Sequence, residues 1–189
     1  MKVIALVGSP RKNGNTDILL QKVLAGAKSR GAATEFFYMN ELNIRGCQGC
    51  YGCKKTGKCV VDDDLVKVFT AIDEADAVVL GSPIYFGRFT AQSALFLDRL
   101  FVYVRPDFTT SLGSGKKYGL IFTQGQPDAT LYTATVESTA KVLERIGFQS
   151  GPKPLLAVGL PGVPKRDVVS ERPEYLQAAQ EIGEQLASR

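Results

Sequence analysis

Short apolar runs of strand length alternate along this chain with longer segments whose apolar residues recur at helical spacing. The runs are rich in branched residues, and several end at glycine, which is typical of strands buried on both faces of a sheet. They predict strands over residues 3–7, 35–39, 77–80, 117–123 and 155–159. The helical spacing predicts helices over residues 15–30, from 62 onward, and over 90–104, 129–146 and 171–187.

Strands that alternate with helices favour a parallel sheet with helices on both of its faces. Right-handed crossovers leave few topologies for five strands. The flavodoxin-like order 2-1-3-4-5 suits them better than the six-stranded dinucleotide-binding fold. We therefore predict a three-layer α/β fold in a single domain over residues 1–189. In that order, the carboxyl ends of strands 1 and 3 flank the crevice where ligands bind.

The amino-acid composition and the net charge exclude several classes of function. The 189 residues include no histidine, which excludes Ser-His-Asp and Cys-His triads and histidine-based zinc or iron sites. The net charge of +4 is mild and the basic residues are spread along the chain, so no nucleic acid or membrane surface is expected as a partner. No run approaches the ~18 apolar residues of a membrane helix. We expect a soluble, cytoplasmic protein.

The loop over residues 8–16, after the first predicted strand, carries groups suited to a phosphate. A helix N-terminus there supplies free backbone N–H groups and the positive end of the helix dipole. The loop matches neither the Walker A pattern nor GxGxxG. The candidate ligands are the polar and charged side chains of Ser9, Arg11, Lys12, Asn13, Asn15 and Thr16. The alternative is an ordinary helix cap with a surface turn.

Two further loops follow the third and fourth predicted strands. The first contains Pro83, Ile84, Tyr85, Phe86 and Gly87, whose aromatic rings suit a flat ligand and whose glycine lets backbone amides approach it. The other contains Thr123, Gln124 and Gly125, which offer hydroxyl, amide and backbone groups. Core aromatics and plain turns explain either loop alone. Three polar loops at the carboxyl ends of neighbouring strands together favour one ligand site.

The segments GSPRKNGNT, GSPIYFG and TQG resemble the NADPH-dependent FMN reductase family, a branch of the flavodoxin-like superfamily. This resemblance covers nearly the whole chain. It implies FMN, with its phosphate held by Ser9, Arg11, Asn15 and Thr16. It also implies an isoalloxazine ring held by residues 83–87, with help from residues 123–125. The flavin carries the redox chemistry, so no catalytic side chain is needed, and NAD(P)H is a possible co-substrate.

All four cysteines lie in a cysteine-rich loop over residues 46–60, with the spacing Cys47-x2-Cys50-x2-Cys53-x5-Cys59. Three thiols at this spacing suit one corner of a [4Fe–4S] cluster, and the fourth follows after a short turn. Zinc sites more often contain two separated CxxC pairs. Disulfides are unexpected in a cytosolic protein of this size. A cluster is favoured over metal-free thiols, and metal-free thiols over zinc.

The same spacing resembles the iron-sulfur flavoproteins, a subgroup of the family. The first functional hypothesis is therefore an iron-sulfur flavoprotein that passes electrons between the cluster and FMN. Its partners would be a small redox carrier or a small-molecule electron acceptor. Lys54, Lys55 and Lys58 would offset the cluster's charge or attract an acidic donor. The alternatives are a cluster-free NAD(P)H-dependent FMN or quinone reductase and a non-catalytic metal-binding sensor.

Three other segments have simpler interpretations. Asp62, Asp63 and Asp64 are explained better by helix capping than by a cation site. The helix around residues 94–103 is apolar on most sides, which indicates deep burial or a subunit interface. The family resemblance favours an interface, in a homodimer or homotetramer. Residues 161–164 are interpreted as a plain loop, with contact to a neighbouring subunit as the alternative.

Overall fold

The computed structural model describes residues 1–188. Its strands are β1 (Lys2–Val7), β2 (Ala33–Tyr38), β3 (Ala77–Tyr85), β4 (Arg88–Phe89), β5 (Lys117–Thr123), β6 (Gln149–Ser150) and β7 (Leu155–Ala157). Its α-helices are α1 (Asn15–Ser29), α2 (Gly52–Thr56), α3 (Leu65–Glu74), α4 (Ala91–Arg99), α5 (Thr133–Ile146) and α6 (Pro173–Leu186). Short 3-10 helices cover Met39–Glu41, Leu100–Tyr103 and Val168–Glu171.

The sheet runs in the order β2-β1-β3-β5-β6, and its long strands pair in parallel. At the far edge, β6 and β7 pair with opposite ends of β5, so that two short segments share the last position. The strand β4 lies off the main path and pairs antiparallel with the end of β3. This is the α/β, flavodoxin-like arrangement that the sequence predicts.

The strand count was wrong: seven strands form instead of five in the order 2-1-3-4-5. The last predicted strand, over 155–159, forms as β7 and ends at Ala157. β6 is an additional short strand, separated from β7 by residues 151–154, whose two prolines and a glycine cannot continue a ladder. The third predicted strand does not stop at residue 80, because Gly81, Ser82 and Pro83 still pair with β5. The predicted helix over 90–104 ends as an α-helix at Arg99 and continues as a 3-10 turn.

The alternation of side chains along β1 divides the core into two layers. Ile4 and Leu6 pack against the helices α3, α4 and α5. Val3, Ala5 and Val7 face the other side, where α1 and α6 lie. Successive side chains of a strand point to opposite faces, so a fully apolar strand requires helices on both sides. Within residues 1–188, no helix is long and apolar enough to cross a membrane.

The helices α1 and α6 approach so closely that glycine is required at their crossing. A Cβ atom added to Gly183 would lie 1.8 Å from the carbonyl oxygen of Val23. We expect Gly183→Ala to lower the free energy of unfolding by about 1–3 kcal/mol through overpacking, despite the gain of about 1 kcal/mol in helix propensity. Chemical denaturation measures this. The exposed control Gln177→Ala on the same helix is expected to change it by about 0.5 kcal/mol or less. A more stable Gly183→Ala variant would contradict this packing.

Candidate functional site

A cleft opens at the carboxyl ends of β1, β3 and β5, where the topology predicts a ligand site. The three predicted loops meet in it. Its lining includes ten of the predicted residues: Ser9, Arg11, Asn15, Thr16, Pro83, Ile84, Tyr85, Thr123, Gln124 and Gly125. The strand ends are held in place because the Gly8 N–H donates to the Gly81 carbonyl at 2.8 Å. Thr90, the N-cap of α4, donates its hydroxyl to the Gly8 carbonyl, also at 2.8 Å.

The first loop folds back on itself at the start of α1. The Arg11 N–H donates to Ser9 Oγ at 3.1 Å, and the hydroxyls of Thr16 and Thr123 lie 2.8 Å apart across the cleft floor. Among the described residues, the backbone N–H groups of Thr16 and Asp17 donate to no protein acceptor. Free N–H groups at a helix N-terminus bind anions. This end of the cleft therefore suits a phosphate.

Two predicted ligands of this loop lie outside the cleft lining. Lys12 forms an ion pair with Glu41, and its ammonium lies 4.8 Å from the centre of the Tyr38 ring. The Asn13 N–H donates to the buried carboxylate of Asp17 at 2.6 Å. Asn13 has a positive φ of 55°, a conformation that asparagine tolerates better than most residues. In this structure, Asn13 shapes the turn and Lys12 faces away from the cleft.

The second loop is a tight hairpin rather than an irregular turn. Tyr85 pairs with Arg88, so that Phe86 and Gly87 are its two central residues. Their φ values are 49° and 83°, as the mirror-image turns of two-residue hairpins require. Pro83, Ile84 and Tyr85 line the cleft, whereas Phe86 and Gly87 do not. The Phe86 side chain is fully exposed.

An exposed phenylalanine at positive φ is unfavourable for an isolated chain. We expect Phe86→Asn to leave the free energy of unfolding unchanged or to raise it by up to about 1 kcal/mol, because asparagine tolerates this conformation and no burial is lost. Thermal denaturation of dilute protein measures this, with the exposed Phe108 (φ 65°) replaced by Asn as a matched control. The opposite result would be a loss of stability for Phe86→Asn but not for the Phe108 control, seen only in concentrated protein. That result would show that a second copy of the chain covers Phe86.

The third loop places an unpartnered buried acceptor at the cleft. The Gln124 side chain is buried, and its Nε2 donates to the carbonyls of Gln126 and Asp128 at 3.1 and 2.7 Å. Its Oε1 accepts no hydrogen bond. A buried acceptor without a donor costs about 1–3 kcal/mol. Gln124 belongs to the cleft lining, so this acceptor without a donor lies beside the space for a ligand.

A fourth loop, which sequence reasoning treated as plain, completes the cleft. Leu160, Gly162 and Arg166 belong to its lining. The Arg11 guanidinium donates to the Gly162 carbonyl at 2.7 Å, and the Asn15 N–H donates to the Arg166 carbonyl at 3.1 Å. These contacts join residues about 150 positions apart in the chain. In the sequence, the only sign that this segment could contribute to a site was its cluster of prolines and glycines.

The cysteine-rich loop lies between β2 and α3. All four cysteines are free; Cys47 and Cys50 are exposed, and Cys53 and Cys59 are half-buried. Among residues 1–188, no three Cys, Asp or Glu side chains form a group able to hold a metal ion. The donor set has the chemistry of an iron–sulfur site, but the loop as folded does not bring the thiols together.

A buried ion pair closes the two ends of this loop. The side chains of Arg99 and Asp63 are 1% and 2% exposed, with 2.7 Å between Arg99 Nη1 and Asp63 Oδ2. Asp63 also accepts the Arg45 N–H at 2.9 Å, and Arg99 donates to the Arg45 carbonyl at 2.8 Å. Burial would raise the pKa of Asp63, but the hydrogen bonds from Arg99 and the Arg45 N–H outweigh it and lower that pKa below its ordinary value.

The expected capping role therefore describes the three aspartates only in part. Asp63 does accept the Leu65 N–H at 3.1 Å, yet its main partner is Arg99. Asp64 is at the N-cap of α3 but makes no side-chain capping bond. It accepts the Asn43 N–H at 2.8 Å instead. Both carboxylates thus connect the segment before the cysteines to the segment after them.

Lys54 joins the middle of the loop to the 3-10 turn that follows α4. Its ammonium donates to the Phe101 carbonyl at 2.5 Å and also to the Val104 carbonyl. It lies 3.6 Å from the centre of the Phe101 ring. Lys54 is thus occupied within the protein, whereas Lys55 and Lys58 are exposed. The predicted helix around residues 94–103 supplies these contacts, and its Phe96, Leu100 and Tyr103 are buried in the core.

Comparisons with known proteins agree with the fold and show the family. The family model for NADPH-dependent FMN reductase matches residues 1–159, and this chain belongs to that family. An iron-sulfur flavoprotein of Methanocaldococcus jannaschii is 41% identical over 99 residues, which are 52% of this chain and 51% of that protein. Another, of Archaeoglobus fulgidus, is 37% identical over 103 residues, 54% of this chain and 47% of that protein. The chain thus matches about half the length of these curated relatives.

Solved structures share the fold at low sequence identity. An NAD(P)H:quinone oxidoreductase from Methanothermobacter marburgensis has a TM-score of 0.75 at 20% identity, over 100% of this chain and 97% of that chain. An archaeal flavodoxin has a TM-score of 0.63 at 14% identity, over 99% of this chain and 96% of that chain. These likenesses establish the flavodoxin-like fold alone.

The cleft fits FMN, the ligand in the family's description. Its first loop offers free N–H groups and Arg11 to a phosphate. Its lining also includes Ile84 and Tyr85, an apolar and an aromatic side chain that suit a flat ring. The Gln124 acceptor suits the N–H and hydroxyl donors of a flavin and its ribityl chain. The predicted interaction with Phe86 and Gly87 stays a prediction, because neither residue lines the cleft.

Proposed function

We propose that this protein is an FMN-dependent oxidoreductase of the iron–sulfur type, passing electrons between a [4Fe–4S] cluster on Cys47, Cys50, Cys53 and Cys59 and FMN in the cleft. Family membership and the unpartnered Gln124 acceptor at the cleft support the flavin site. Bound flavin supplies the redox chemistry. The protein's own residues would hold the phosphate end and present Ile84 and Tyr85 to the ring.

The cluster is supported by the four-thiol spacing and by the curated relatives named iron-sulfur flavoproteins. The glycines at 49 and 57 have positive φ and no neighbour within 4 Å of an added Cβ, so the backbone beside the thiols is unhindered. Convergence of the thiols would require this loop to rearrange between its fixed ends. A small redox carrier or a small-molecule acceptor would then be the partner, and the acting unit a homodimer or homotetramer.

A cluster-free NAD(P)H-dependent reductase is the second candidate. The arrangement of the thiols favours it, since the described part of the loop holds no preformed metal group. The family description also names NADPH as the electron donor. In that case FMN would receive electron pairs from NADPH, and the cysteines would have no part in turnover.

Rapid mixing without oxygen distinguishes the two. Protein loaded with FMN, iron and sulfide is mixed with NADPH or with a reduced viologen, which donates single electrons. The iron–sulfur proposal predicts that Cys50→Ser/Cys53→Ser slows flavin reduction by the viologen at least about tenfold (about 1.4 kcal/mol in barrier). Reduction by NADPH, and both rates of the control Lys28→Gln, which changes an exposed lysine of α1, are expected to stay unchanged. Fast NADPH reduction and no effect of the cysteines would establish the cluster-free reductase. Failure to bind FMN would overturn both.

A further inference from the structure

The charges around the cleft leave the phosphate of FMN short of partners. A phosphate monoester carries about −1.5 to −2 charges at pH 7. The first loop contains two cations, but Lys12 is paired with Glu41 outside the cleft. The buried carboxylate of Asp17, in the first turn of α1, adds a negative charge nearby. Within residues 8–16, Arg11 is thus the one cation that lines the cleft without a carboxylate partner.

We infer that Arg166 is the second phosphate-binding cation of the cleft, an inference that depends on the proposed FMN function. Arg166 lines the same cleft as Ser9 and Arg11. Its carbonyl accepts the Asn15 N–H, which fixes its backbone at the N-terminus of α1. Arg166 is exposed, and within residues 1–188 its guanidinium makes no hydrogen bond or ion pair. Arginine binds phosphate through two parallel N–H donors.

The surrounding loop holds Arg166 in place. Arg11 donates to the Gly162 carbonyl, and the Val169 N–H donates to Asn15 Oδ1 at 2.9 Å. A Cβ on Gly162 would lie 2.5 Å from Arg11 Nη1, so the loop and the first arginine are closely packed. Arg166 lies beyond residue 159, where the family match ends. Its role therefore comes from this chain's own fourth loop rather than from the family's motif.

The test compares FMN with riboflavin, which lacks the phosphate. Flavin fluorescence titrations give the dissociation constants for the wild type, Arg166→Gln, Arg166→Lys and the control Lys165→Gln. The control removes the same charge at the neighbouring position, where Lys165 is paired with Glu171 outside the cleft lining. We expect Arg166→Gln to weaken FMN binding about tenfold, as loss of one charged hydrogen-bonding partner predicts, and to leave riboflavin binding unchanged. Arg166→Lys recovers part of the loss, and Lys165→Gln changes neither.

Two results would overturn the inference. The first is FMN binding by Arg166→Gln equal to that of the wild type. The second is an equal loss of FMN and riboflavin, which would assign Arg166 a structural role in the loop. Thermal denaturation of each variant confirms that it is folded. A wild type that binds neither flavin would instead overturn the proposed function itself.

Discussion

Replacement of Asp63 by alanine is expected to lower the free energy of unfolding by about 3–5 kcal/mol, the cost of breaking a buried ion pair from one side. Arg99 is 1% exposed, so its charge would remain buried without its carboxylate. Its Nε already lacks an acceptor. The loop would also lose the acceptor of the Arg45 N–H. Chemical denaturation at neutral pH measures the loss.

The neighbouring aspartate provides a matched control. Asp64 pairs with Lys67 at the surface, where such pairs contribute about 1 kcal/mol or less. Asp64→Ala is therefore expected to cost far less than Asp63→Ala. Asp63→Leu combined with Arg99→Met is expected to recover much of the stability, because neither charge then remains buried. Equal losses for Asp63→Ala and Asp64→Ala would contradict the role assigned to the buried pair.

The same pair predicts a pH dependence. The pKa of Asp63 is lower in the folded protein than its ordinary value of 3.8. The carboxylate therefore contributes its full stabilisation above the ordinary value, and this contribution is lost as the pH falls through the folded pKa. We expect the wild type to lose stability below about pH 4 more steeply than the variant that lacks both charges. Parallel acid-unfolding curves would exclude this contribution.

The second large effect concerns metal content. Cys50→Ser/Cys53→Ser is expected to remove nearly all iron and acid-labile sulfide from protein purified without oxygen, because two of the four thiolate ligands are lost. The FMN content is expected to stay unchanged, since neither cysteine lines the cleft. Iron, sulfide and flavin analyses on one sample measure all three. The control Lys28→Gln, on the exposed face of α1, is expected to retain the wild-type contents. Iron that persists in the double variant would exclude these cysteines as the ligands.

Local sequence signals predicted the parts of the fold that burial determines. Residues 3–7 form a strand as predicted, because a continuous apolar run must be covered on both faces. The end of β3 was mispredicted because Gly81, Ser82 and Pro83 have the composition of a turn. Their pairing with β5 depends on residues 40 positions away, which local composition does not reveal.

The candidate site shows the same difference between residues that local sequence signals predict and residues that only tertiary contacts bring in. The polar side chains of Ser9, Asn15 and Thr16 follow an evident strand, so the sequence could predict them as ligands, and the structure places them in the cleft lining. Arg166 and Gly162 were missed because only tertiary contacts bring their loop to α1. Asp63 was assigned to a local cap, whereas its main partner lies 36 residues further along the chain. Contacts between segments that are distant in the sequence thus determine which loop completes the cleft and which partner Asp63 takes.

The absorption spectrum of protein purified without oxygen tests the central claim most directly. Spectra are recorded before and after reduction. The proposal of an iron-sulfur flavoprotein predicts flavin bands over a broad iron–sulfur shoulder, both of which bleach on reduction. Flavin bands without that shoulder, in protein never exposed to air, would contradict the cluster and leave a flavin reductase with four free thiols.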